Sequence, residues 1–344
     1  MKEILKTTFT LVGAVVGAGF ISGKELVRFY SGRAFLPFLF LTIGLFFVYF
    51  YFLLKAGIRY GSFHNFLKCK VKKFSRAVRS VFLLSSFVLI VAMLAGINAL
   101  APKFSPFVAV FAAVACFFIG KKGVCGVKNL NFILVPCIVG YIVFSLFSAE
   151  NFTFAENPQN AGMDTFFCCL YVAMNAFLCT PVAVEAGGEI GSEKAAAISA
   201  AVSAIIIGGI ATLILSAVAA TAGATERTLP LAFVLKNGKA FPFILFLGIL
   251  TSLVSACFTV FEAMQTLPFS SKGKNAAKLI VLFAASCFSL SGLDKIVNMV
   301  YPVIGAIGFL FLFAVIFDYQ AFEKHHHKVH NARKGTKDNG SRHH

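Results

Sequence analysis

Ten runs of mostly apolar residues, separated by polar connections, take up most of this chain. A helix that crosses a bilayer needs about 20 such residues. In order, the runs predict spans over about 5–31, 34–56, 81–100, 105–120, 130–149, 164–190, 195–221, 240–267, 276–292 and 295–318. Composition leaves little alternative. Of 344 residues, 58% are hydrophobic and 13% charged, with 42 Phe. A soluble domain carries about 25% charged residues, so a water-soluble globule and a disordered chain are both excluded. The expected fold class is an all-α integral membrane protein with about ten transmembrane helices, one domain over 1–318.

The net charge of +17 would suggest a nucleic-acid partner in a soluble protein. Here its distribution gives another reason. Ten spans put both termini on one side, and that side holds 23 Lys and Arg against 8 on the other. Cytoplasmic loops are enriched in Lys and Arg. The split predicts a multi-pass plasma-membrane protein with both termini cytoplasmic, the lipid bilayer as partner and no nucleic acid. The basic 55–80 segment reads as an amphipathic piece lying on anionic lipid. The first run has no A-x-A cleavage site and continues through Glu25 and Arg28, so it reads as a retained helix rather than a signal peptide. The nine cysteines form no CxxC or zinc spacing and read as small apolar side chains. The polar stretch 319–344, with six of the seven histidines, reads as a disordered cytoplasmic tail.

Two spans are expected to break. Span 1 carries Gly13, Gly17 and Gly19 in mid-membrane, then Ser22 and Gly23; each helical glycine costs about 1 kcal/mol relative to Ala. Span 6 carries Pro181 after Asn175-Ala-Phe-Leu-Cys-Thr180, and proline removes a helical hydrogen bond. Span 6 opens the second half when ten spans divide five and five. Interrupted segments at matching positions of two halves point to an inverted-repeat transporter, here about 5–149 and 164–318. Unwound backbone survives in a membrane only where it is enclosed or lines a cavity. Gly13-x-x-x-Gly17 is also a helix-packing pattern. A dinucleotide loop is excluded, because no strand precedes Gly17-x-Gly19.

The stretch Gly13-Ala-Val-Val-Gly-Ala-Gly-Phe-Ile-Ser-Gly-Lys-Glu25 resembles the first helix of the amino acid–polyamine–organocation superfamily, and most of all its YkvI-like bacterial membrane proteins. The resemblance covers roughly residues 5–318. It implies a LeuT-type 5+5 inverted repeat with discontinuous helices 1 and 6. It also implies that the solute is held by Val15, Gly17, Ala18 and Gly19, with Leu178, Cys179, Thr180 and Pro181 opposite, and that amides of Gly17–Gly19 meet a substrate carboxylate. The fold's widespread sodium site would take carbonyls from Gly13 and Val16 and hydroxyls from the Gly248-Ile-Leu-Thr251-Ser252 stretch of span 8. Oxygen-only ligands suit a hard cation; alternatively, both hydroxyls bond back to their own helix. Phe20 stands where sodium-coupled neurotransmitter-type members carry Asn for a second ion.

Charges within the spans are functional candidates. Lys24 and Glu25 lie beyond the first break, where Lys24 could replace sodium, carry a coupling proton, snorkel outward or pair with a carboxylate. Glu185 and Glu189 lie beyond the predicted break of span 6, as an inner gate or a helix end. No Ser-His-Asp set, H-E-x-x-H motif or Walker loop is present, so neither an enzyme nor ATP-driven transport is expected. The expected function is a cation-coupled symporter (sodium or proton) of a small solute, an amino acid or related amine, working by alternating access with no other cofactor. The alternative is a permease-like ligand-sensing receptor subunit. Protein partners are unknown from sequence.

Overall fold

Glycine shapes the first span. Helix α1 (Lys2–Val15) ends at Val16, whose φ/ψ of −79°/71° leaves the helical region, and Gly17 is extended. Two short helices follow, α2 (Ala18–Ile21) and α3 (Lys24–Phe29), separated by Gly23 at φ +82°, a left-handed conformation open to glycine. A side chain at Gly17 would meet Ser252 Oγ at 2.8 Å and Met93 Sδ at 2.9 Å. The chain therefore breaks at a position its neighbours crowd too closely for a side chain.

The computed structural model describes residues 1–71, 75–100, 105–147, 153–156, 160–235, 240–265 and 269–316; the 319–344 tail, with its histidines, lies outside them. After the first span come α4 (Leu36–Tyr60), α5 (Phe63–Val71), α6 (Ser75–Leu100), α7 (Ser105–Gly120), α8 (Gly123–Phe147), α9 (Ala161–Ile190) and α10 (Glu193–Ala220). The short α11 (Pro230–Val234) precedes α12 (Phe241–Gln265), α13 (Ser271–Phe288) and α14 (Leu293–Ile316), which opens with a π-helical turn at Ile296–Val300. Eight of these helices are long and apolar enough to cross a membrane. The shorter apolar helix at 107–120 and the broken first span bring the described crossings to ten, as expected.

The sequence predicts a discontinuous span 6; α9 instead runs unbroken through Pro181. Proline here removes only the N–H that would reach the Phe177 carbonyl, a loss that packing offsets in a membrane bundle. Of the α9 span, 89% is buried, against 22% for α13. Thr180 donates its hydroxyl to the Ala176 carbonyl at 2.9 Å, tightening the turn before the proline. On the far side of Pro181, Gly187 and Gly188 lie directly on the backbone of α4 and Gly61, and Gly57 returns the contact against Val184 and Gly187. Small residues let helix backbones approach in this way.

Helices α1, α6, α9 and α12 form the interior, with α4, α8 and α10 around them. Large apolar side chains such as Phe40, Phe111, Ile133, Phe144 and Phe283 point outward, toward lipid in a multi-pass membrane protein.

Candidate functional site

The break in α1 meets α12 through hydroxyls. Ser252 Oγ donates to the Gly13 carbonyl at 2.9 Å and lies 3.3 Å from the Ala14 carbonyl. Thr251 Oγ1 donates to the Gly248 carbonyl at 2.7 Å and reaches the Val16 carbonyl at 3.5 Å. All are buried. Thr251 thus bonds back to its own helix, while Ser252 reaches across to the carbonyls of the first span. Gly248 has its own reason to be small, since a Cβ there would strike Ile21 and sit 3.4 Å from the Val16 carbonyl. The Asn131 side chain, fully buried on α8, covers Gly13 with both amide atoms lacking a partner among the described residues.

The proposed solute residues are all buried. Val15 is 3% exposed, Leu178 8% and Cys179 2%, and α1 packs against α9. Among the described residues no hydrogen bond joins 178–181 to 15–19, and the unwound centre expected at Leu178–Pro181 is regular helix. The freed backbone belongs to the first span. There the Ala18 N–H points at Met93 Sδ, 3.4 Å away, and the Glu25 carboxyl lies against Gly19, filling the space a Cβ would need.

Ion pairs lie on either side of this centre. Beyond the break, Lys24 Nζ on α3 meets Asp294 on α14 at 2.7 Å and donates to the Arg227 carbonyl at 3.2 Å, while Thr228 donates to the same aspartate at 2.6 Å. Of the roles open to Lys24, pairing with a carboxylate is the one observed. At the N-terminal end of α1, Lys128 Nζ sits 2.7 Å from both Glu3 and Glu189, tying α8 to α1 and α9. The sequence places Lys128 in the 121–128 loop; it is instead in the second turn of α8 and 2% exposed. Glu185 accepts the Phe63 N–H at 2.9 Å and so holds the start of α5. Beside it a cavity of about 280 Å³ is lined by His64, Arg79, Thr259 and Glu262. Partial burial and the Arg79 guanidinium, 2.6 Å from Nδ1, hold His64 below its ordinary pKa.

Sequence reasoning missed Lys128, Asp294, Met93, Asn131, Tyr171 and Tyr301. Lys128 and Asp294 stood at span edges, where charge reads as loop. The others are single polar or soft atoms inside apolar runs and carry no pattern of their own.

These features define a multi-pass helical membrane protein whose first span is broken against a hydroxyl-bearing helix. No protein-family model matches the chain. It is 26% identical over 350 residues to the uncharacterized membrane protein YkvI of Bacillus subtilis (strain 168), covering 90% of this chain and 94% of that protein. It is also similar to the crystal structure of MhsT in complex with L-phenylalanine, with a TM-score of 0.62, 19% identity, and coverage of 90% of this chain and 87% of that one. The fold is the LeuT-type arrangement that the first-span resemblance implies.

Proposed function

We propose that this chain is a secondary active transporter, a cation-coupled symporter of a small amine or amino acid, built as a 5+5 inverted repeat with both termini in the cytoplasm of a plasma-membrane protein. The observation that carries the reading is the meeting of freed Gly13 and Val16 carbonyls with the Thr251 and Ser252 hydroxyls. Four neutral oxygens from two helices, with no carboxylate among them, suit a monovalent hard cation, and sodium is the first candidate. A bound cation would replace the hydrogen bonds that now join these groups and so draw α1 to α12. The solute would lie beside the same break, among Val15, Gly17, Ala18 and Gly19 with Leu178, Cys179, Thr180 and Pro181 across from them. The ion pairs on either side, Lys24 with Asp294 and Lys128 with Glu3 and Glu189, would open alternately. That MhsT holds L-phenylalanine in the same fold supports an organic solute of this size.

The test is thermal unfolding of the detergent-purified full chain in sodium or potassium chloride, paired with uptake into proteoliposomes. A ligand that binds only the folded state stabilises it by about 2.7 kcal/mol at a hundred-fold excess over Kd. The expected result is a sodium-specific rise in midpoint that Ser252→Ala removes, with amine uptake driven by the sodium gradient. Equal midpoints in both salts, with no gradient-driven uptake, would overturn the reading.

A further inference from the structure

Three buried oxygens on helices packed about the first span have no hydrogen-bond partner among the described residues. They are Glu25 Oε2 on α3, the Tyr171 hydroxyl on α9 and the Tyr301 hydroxyl on α14. Glu25 is 3% exposed and both tyrosines are fully buried. The carboxyl lies on Gly19, and its helix α3 packs against both α9 and the 296–300 turn of α14. No basic group among the described residues comes within ion-pair distance of it. The two nearest along the chain are engaged elsewhere: Lys24 with Asp294, and the Arg28 guanidinium over the Phe167 ring at 5.3 Å.

A lone carboxylate out of water is unfavourable unless it takes up a proton or something positive reaches it. An alkylammonium carries three N–H donors, and three oxygen acceptors await here. Phe29 and Tyr30 both pack on Tyr171 at 5.5 Å between ring centroids, so the surroundings are aromatic, which favours a cation over an anion. The alternative expectation, a solute carboxylate on the Gly17–Gly19 amides, would bring two like charges together beside Gly19, where the Ala18 N–H already faces Met93.

We propose that Glu25, Tyr171 and Tyr301 form a receptor for the ammonium group of an amine solute, and that the solute carries no carboxylate at the first-span break. This deepens the transporter reading and rests on it for the passage of the solute, while binding can be measured by itself. The probes are n-butylamine and butyrate, of equal length and opposite charge, in equilibrium binding to the purified full chain. Butylamine is expected to bind and butyrate not. Glu25→Gln, which keeps the shape, should weaken butylamine by at least about 30-fold, and Tyr301→Phe by about tenfold. Retention of the sodium-dependent midpoint shift in each variant shows that it is folded. The proposal falls if Glu25→Gln binds butylamine as the parent does, if butyrate binds better than butylamine, or if the parent binds no butylamine. It also falls if Glu25→Gln loses only a pH dependence, which would make Glu25 a proton carrier. A sodium shift without butylamine binding sinks this inference and leaves the transporter reading standing. Butylamine binding without gradient-driven uptake does the reverse.

Discussion

Lys128 holds its charge inside a helix bundle, and two carboxylates make that tenable. Removing one partner of a buried pair costs about 3–5 kcal/mol. Glu3 and Glu189 are about half exposed, so water screens them and a smaller loss follows. Lys128→Met is expected to lower unfolding stability by about 1–2 kcal/mol. It should also loosen α1 from α8 and α9. In a chain that keeps Cys179 as its sole cysteine, a membrane-permeant maleimide should then label that buried thiol faster than in the parent. Unchanged labelling would show that the lysine ties nothing shut. Glu25 is the contrasting residue. It was visible in the sequence as a charge beyond the glycines, whereas Tyr171 and Tyr301 look like core aromatics until their hydroxyls are seen without partners.

At the scale of elements, most span edges were legible to within a few residues because hydrophobic length is what a bilayer selects, while α6, α8 and α13 begin five to seven residues earlier than expected. The break of the first span was legible too, since four glycines in eleven residues admit few other readings. Span 6 was not. Proline reads as a helix breaker on a scale set in water, at about 3 kcal/mol, whereas α9 is clamped by Gly57, Gly187 and Gly188 against α4 and cannot unwind without losing that contact. Restoring the missing N–H should therefore strengthen α9 without reshaping it. Pro181→Ala is expected to raise the unfolding midpoint, with uptake and helix content by circular dichroism unchanged. A gain of several residues of helix would instead mean that α9 unwinds at Pro181 in the unliganded protein. The 55–80 segment was read as an amphipathic surface piece, and its described part includes α5, anchored at its first residue by Glu185.

For the whole molecule, the proposed topology of ten crossings, with its Lys/Arg excess on one side, predicts both ends on the cytoplasmic side. A fluorescent protein that matures only in the cytoplasm should glow when fused after residue 316 and stay dark when inserted at 221–229. The reverse pattern would invert the direction in which an ion gradient acts on Ser252. The first span has a mechanical consequence as well. With α9 continuous and set against α4, the interruption of helical backbone near the centre falls at Val16 and Gly17. Helix α1 is then a lever arm pivoted at that joint, about 21 Å long at 1.5 Å per residue. A tilt of about 15° carries its tip about 5 Å, more than the reach of the Glu3–Lys128 contact. A small rotation at that joint would thus be geared up into the making or parting of the Glu3–Lys128 contact at the far tip of α1.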